Sequence, residues 1–97
     1  MATPDLDPVL HQPVRTRIVA YLATRGSSTF TELKQALAIT DGNLEAHMKK
    51  LTASDYVQKV RESGDGRPQT FYELTKSGKK AFKLYVSALQ SLLLMDY

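Results

Sequence analysis

The stretch Thr40–Leu51, TDGNLEAHMKKL, decides how this chain is read. Thr40 is a good helix N-cap, and Asp41 falls in the first turn, where the helix dipole favours a carboxylate. Leu44, Met48 and Leu51 recur at i, i+4 and i+7 and form one narrow apolar stripe. The opposite face carries Gly42, Asn43, Ala46, Lys49 and Lys50, not the usual Glu/Lys mixture of a solvated face. Such a front suits a DNA major groove. Small residues permit close approach, an amide reads a base edge, and lysines meet phosphate. An ordinary surface helix has the same apolar back, so the flanking sequence carries the decision.

Upstream, Pro13 suits the first turn of a helix running to about Thr24, with Val14, Ile18, Tyr21 and Leu22 on its inner face. Arg25-Gly26 closes that helix. Ser27–Phe30 is short, polar and tolerant of β structure. Thr31 is the expected N-cap of a second helix, Glu32–Leu37, with Leu33, Ala36 and Leu37 inward. About three residues then separate it from the helix at Asp41, which is helix-turn-helix spacing. Many helical hairpins share that local pattern.

Downstream, Tyr56–Val60 is strand-like, Ser63–Pro68 (SGDGRP) is a turn cluster, and Thr70–Leu74 alternates. The three together predict a β-hairpin with a glycine-rich tip carrying Arg67. Thr75 is the N-cap of a final helix, Lys76–Met95. Ahead of these elements, residues 1–5 are a loose tail and Leu6–His11 a short helical turn interrupted by Pro8 and Pro13.

Composition narrows the class. At 97 residues the chain is one domain, 1–97, with a modest core. The net charge of +3 fits a nucleic-acid partner without requiring one. The absence of Cys excludes a disulfide scaffold, thiolate metal ligands and a thiol switch. MATPDLDP lacks the pattern of a signal peptide, and the longest apolar run, Leu92–Met95, is far too short to span a bilayer. The expected location is cytoplasmic.

The order helix, helix, helix, hairpin, helix is the winged-helix arrangement. DPVLHQPVRTRIVAYL, FTELKQAL, TDGNLEAHMKKL, the following DYV, and GDGRPQTFYELTKSGKKAF resemble the winged-helix transcriptional regulators related to the MarR and ArsR groups. They are most similar to small single-domain DNA-binding members with an LT-x-x-G start to the last helix. The resemblance covers about Asp7 to Phe82. It implies a mainly α fold with a small β-hairpin: a winged helix-turn-helix with an added C-terminal dimerisation helix at 75–95. The recognition helix would be 41–54 and the wing 57–74, with double-stranded DNA and a second copy of the chain as partners.

The candidate DNA-binding residues are Gly42, Asn43, Ala46, His47, Lys49 and Lys50 on the helix, and Arg61, Arg67, Gln69 and Thr70 on the hairpin. Asn43 pairs well with adenine, yet Thr40-x-x-Asn43 also resembles a weakened capping box. Gly42 costs about 1 kcal/mol against Ala within a helix. Close approach to DNA accounts for that cost, and so does tight interhelical packing. Ala46 suits a thymine methyl or simply favours helix. Asp41 and Glu45 oppose phosphate, and Glu45 fits better as an i+4 partner of Lys49. His47 flanks the buried stripe and is expected half-buried and hydrogen-bonded. His11 is the only other histidine, and neither has the surroundings of a metal ligand. Arg61, Arg67 and Gln69 suit a minor groove or backbone, or merely a soluble hairpin tip. Arg15 and Arg17 touch DNA backbone or pair with the acidic N-terminus.

The last helix begins with Lys76, Lys79, Lys80 and Lys83 and is nearly uncharged afterwards. Its apolar residues cover more than half the circumference, too wide an arc for one small domain to bury. A symmetric dimer is expected, with Leu6, Val9, Leu10, Phe82, Tyr85, Leu89, Leu92 and Leu93 at its interface. The alternative function is a winged-helix protein–protein module without specific DNA binding. An enzyme finds no support: no Ser-His-Asp set, no metal constellation, and SGDG in a hairpin rather than between strand and helix. No cofactor is expected, and the sequence singles out no effector site.

Overall fold

The computed structural model describes residues 5–64 and 66–95. The expected loose tail lies outside them except for exposed Asp5, as does Asp65 at the hairpin tip. The chain runs α1 (Pro13–Arg25), β1 (Ser27–Ser28), α2 (Phe30–Leu37), α3 (Asp41–Ala53), β2 (Val57–Gly64), β3 (Arg67–Leu74) and α4 (Lys76–Leu93). The strands form one antiparallel sheet in the order β1-β3-β2. The fold is therefore four helices with a three-stranded sheet, one strand more than the expected hairpin. The added strand, Ser27–Ser28, pairs with Glu73 and Tyr72 and is too short to carry a periodic signal.

Each helix starts on a side chain that accepts a hydrogen bond from an otherwise unpaired backbone N–H. Gln12 accepts from Arg15, Thr29 from Glu32, Thr40 from Asn43 and Thr75 from Gly78. The second of these corrects the sequence reading. The cap of α2 is Thr29, not Thr31: its side-chain oxygen accepts from the Glu32 N–H at 3.1 Å, and its hydroxyl donates to the Glu32 carboxylate at 3.2 Å, in place of the backbone bond of a full capping box. The earlier start turns Phe30, Leu33 and Leu37 inward and leaves Ala36 exposed. Gly26, at φ 89°, closes α1 by donating to the Leu22 carbonyl, as its place in the sequence implies.

The core lies where α1, α2, α3 and the sheet base meet. Ile18, Val19, Leu22, Leu33, Leu44, Leu51 and Val57 are essentially inaccessible. Leu10, from the N-terminal turn, is equally buried, and Tyr85 of α4 is 5% exposed. The helical pattern alone puts both at the expected dimer interface. They already lie inside the single chain and have little surface left to offer a partner. Leu6–His11 is one helical turn, with the Asp7 carboxylate accepting from the Val9 N–H at 2.8 Å. The turn docks on the body through Tyr56, whose hydroxyl donates to Asp7 at 2.5 Å, and through His11 Nδ1, 2.9 Å from the Tyr85 hydroxyl. The Asp7 hydrogen bond, burial and the Asp7 charge together push the Tyr56 phenol up to about 12.

The start of α4 fits the rest through one glycine. A Cβ on Gly78 would stand 2.0 Å from the Tyr56 carbonyl oxygen, which is backbone and cannot swing aside. Gly78→Ala therefore has to push α4 off the α3–β2 junction. It is expected to destabilise the chain by about 3 kcal/mol, the upper end for overpacking. Urea unfolding measures this, and an unchanged midpoint would show that α4 docks loosely.

Candidate nucleic-acid interface

Helix α3 presents opposite chemistries on its two faces. Leu44, Met48 and Leu51 are buried against α1, α2 and the sheet base. Gly42, Asn43, Glu45, Ala46, Lys49 and Lys50 are exposed, and His47 is half-buried on the flank. The Asn43 backbone N–H is taken by the Thr40 cap at 3.2 Å, while its side-chain amide bonds to nothing among the described residues. The reciprocal half of a capping box is therefore not formed, and the amide's donors and acceptor are unspent. Gly42 has nothing within 4 Å of where a Cβ would sit. Interhelical packing thus does not explain this glycine.

The acidic residues are accommodated differently from the expectation. Lys34 of α2 pairs with Asp41 at 2.9 Å. The pair is exposed and adds little stability, but it cancels the carboxylate at the entry to α3. The expected Glu45–Lys49 ion pair is absent among the described residues; both side chains line the groove described below.

The hairpin register sorts the wing residues onto two faces. Lys59 stands opposite Tyr72, Arg61 opposite Thr70, Glu62 opposite Gln69, and Gly64 opposite Arg67. Opposed residues share a face and successive residues alternate. The face continuing from buried Val57 and Leu74 therefore carries Lys59, Tyr72, Arg61 and Thr70. The other carries Val60, Phe71, Glu62, Gln69 and Arg67. The strands run to Gly64 and Arg67, so the expected six-residue turn shortens to a two-residue connection with Gly66 at φ 82°. Arg61, Arg67 and Gln69 are exposed and Thr70 is half-buried.

Between α3 and the sheet runs a groove of about 710 Å³. Phe30, Met48 and Tyr72 supply apolar lining, and Glu45, Lys49 and Lys59 its charges. The Lys59 ammonium lies 6.0 Å from the centre of the Tyr72 ring. Lys59 and Tyr72 escaped the sequence reading, although two-residue alternation back from Arg61 and Thr70 finds both. The site thus joins an exposed helix face with free hydrogen-bonding groups to a cationic groove and an arginine-bearing hairpin. Such a surface can take up phosphate and present donors beside it.

His47 is held below the ordinary histidine range, first by burial and then by the neighbouring Arg15 guanidinium. No set of three or more His, Asp or Glu side chains among the described residues is arranged to hold a metal ion. No helix among them is long and apolar enough to cross a membrane.

With no packing constraint on Gly42, Gly42→Ala is expected to stabilise the free chain by about 0.5–1 kcal/mol. A rise in the urea midpoint checks this, and a fall would reveal a packing role that the geometry does not contain.

A winged-helix DNA-binding domain model matches residues 14–93. An uncharacterized protein of Methanocaldococcus jannaschii is 37% identical over 78 residues, covering 80% of this chain and 85% of that one. The structure of a transcriptional regulator homologue from Pyrococcus horikoshii superposes with a TM-score of 0.79 at 30% identity, covering 88% of this chain and 84% of that one. The fold is also that of MarR from E. coli, solved in complex with operator DNA, with a TM-score of 0.70 at 19% identity over 79% of this chain and 54% of that one. The matched segment spans α1 through α4, the elements that build the helix face, the groove and the wing, and on that ground the chain belongs to the winged-helix DNA-binding family and carries its MarR-like transcriptional-regulator fold.

Proposed function

We propose that the chain is a homodimeric, sequence-specific DNA-binding transcriptional regulator, with α3 in the major groove and the wing on the minor groove or the backbone beside it. The observation that carries this reading is the front of α3. Its amide has no partner within the described chain, its glycine packs against nothing, and its Lys49 continues into the cationic groove. Small residues, an amide and lysines together suit a nucleic-acid backbone and base edge better than a protein surface, where lysine is depleted. Asn43 is assigned to a base edge, Ala46 and Gly42 to close approach, and Lys49, Lys50, Lys59 and Arg61 to the phosphate strand between the two grooves. Arg67 and Gln69 at the far end of the hairpin, with Thr70, meet the second groove. Such work places the chain in the cytoplasm, with the chromosome.

The dimer is supported by α4. Leu93 is 81% exposed, and Phe82, Val86 and Leu89 recur with it at i, i+4, i+7 and i+11 on one face of the helix, while Leu84 lies on the opposite side. Two copies joined along this helix would set two α3 helices to read half-sites about one DNA turn, roughly 34–36 Å, apart.

The test begins with selection of a preferred duplex from random sequence by the purified chain. Asn43→Ala is expected to cost about 1–3 kcal/mol on that duplex and much less on random DNA. Equal losses on both would move Asn43 to the backbone. Arg67→Ala is expected to weaken both alike and to lower the salt slope by roughly 1; an unchanged slope removes the wing from the interface. For assembly, Val86→Glu with Leu93→Glu alters two side chains of one face that are already exposed. Sedimentation should show a folded monomer that has lost tight duplex binding. Wild-type chain that is monomeric and still binds tightly would overturn the dimer.

A further inference from the structure

Two arginines of α1 reach across to the helix-turn-helix. Arg17 donates to the Leu37 carbonyl at 3.2 Å and so caps the end of α2. Arg15 is half-buried and makes two contacts. Its Nε donates to the Val9 carbonyl of the N-terminal turn at 2.6 Å, and its Nη1 lies 3.4 Å from Nδ1 of His47 on α3. A guanidinium has donors and no acceptor, so the imidazole must accept at Nδ1. A neutral ring that accepts at Nδ1 carries its proton on Nε2. That second nitrogen has no hydrogen bond to any described residue. The chain thus fixes one side of the ring and leaves the donor on the other side unspent, on the helix that holds the polar front.

We infer that Arg15 is a positioning residue for DNA recognition: it holds His47 neutral, in the Nε2–H form, with that donor reserved for an acceptor on the duplex. The inference rests on the reading that α3 enters DNA. The charged group that faces His47 from α1 is Arg15 itself; on α3 the cations nearest in sequence are Lys49 and Lys50, both exposed, and the N-terminal turn supplies the Val9 carbonyl that anchors the guanidinium. The depressed imidazole basicity, from burial and then from Arg15, agrees with a neutral ring at pH 7. A protonated ring could not accept from Arg15 and would repel it. The Nε2–H tautomer therefore depends on the guanidinium being seated, and the seat is the backbone of the N-terminal turn. Displacing that turn would release Arg15 and with it the tautomer of His47.

The experiment has one arm without DNA and one with it. Long-range 1H–15N correlation on the uniformly labelled chain identifies the histidine tautomers, with His11→Gln to assign His47. Wild type is expected to show the Nε2–H form and a His47 titration midpoint below 6.5. Arg15→Met keeps the aliphatic stem but removes the donor; mixed tautomers and a midpoint shifted up toward 6.5 are expected. Arg15→Lys restores a donor and should recover part of the wild-type signature. In the second arm, Arg15→Met, His47→Ala and the double variant bind the duplex selected by the wild-type chain. Each single change is expected to weaken binding about tenfold, as loss of one hydrogen bond to a charged group does, and the double variant no more than either alone. An Nδ1–H form in wild type, or a signature unchanged in Arg15→Met, overturns the assignment. So do additive losses in the double variant, which would place Arg15 on DNA by itself. A chain that binds no duplex overturns the proposed function and this role with it, whereas one that binds DNA with the wrong tautomer overturns the role alone.

Discussion

The structure hangs on the backbone of Tyr56. Its N–H closes the end of α3 by donating to the Leu51 carbonyl at 3.0 Å, and its carbonyl accepts from the Thr75 N–H at 3.1 Å. Thr75 also donates from its hydroxyl to the Asp55 carbonyl at 2.5 Å, while its side-chain oxygen caps α4. Asp55 takes a left-handed conformation, φ 62°, to bring this about. The Tyr56 ring then reaches the N-terminal turn through Asp7. One residue thus joins the end of α3, the root of the hairpin, the start of α4 and the N-terminal turn. The angle between α3 and the hairpin is set here, and the groove between them is a consequence of that angle. Only a residue without a Cβ fits on α4 where it crosses the Tyr56 carbonyl, which gives the glycine of the LT-x-x-G motif its physical reason.

Much of this was legible in the chain. The apolar stripe of α3, its Thr40 cap, the short turn before it, the hairpin and the long last helix all follow from local rules, because each element carries its own periodicity and its own stop signal. One failure is local: Thr29, not Thr31, stands where its side-chain oxygen takes the Glu32 N–H three residues on. The others share a cause, a partner distant in sequence. Ser27–Ser28 is a strand only because Tyr72 and Glu73 offer an edge. Leu10 and Tyr85 looked available to a second chain because a helical wheel cannot show that the N-terminal turn folds under α4. The groove was invisible for the same reason, since its lining comes from α2, α3, β2 and β3.

The candidate site was legible to a different degree. Exposure of Gly42, Asn43, Ala46, Lys49 and Lys50 follows from the wheel alone. The two alternatives that the wheel left open, a capping role for Asn43 and a packing role for Gly42, are decided by what is absent around them. Arg15 is the opposite case. It was assigned to backbone or to the acidic terminus, and it instead bonds a carbonyl and an imidazole. No local pattern marks a side chain that braces two elements from a third.

The two helical glycines argue together about where selection acts on this surface. Gly78 is explained inside the chain, since a methyl group there would meet backbone at 2.0 Å. Gly42 is not, since a methyl group there would meet nothing, and alanine would favour the helix by about 0.5–1 kcal/mol. The unspent Asn43 amide poses the same question: it neither caps nor bonds within the described chain, and a solvated position would accept many better helix formers. Stability alone therefore accounts for the back of α3 and not for its front. The residues that the free chain does not need form one contiguous face beside a cationic groove, and the proposed duplex would supply partners for all of them at once.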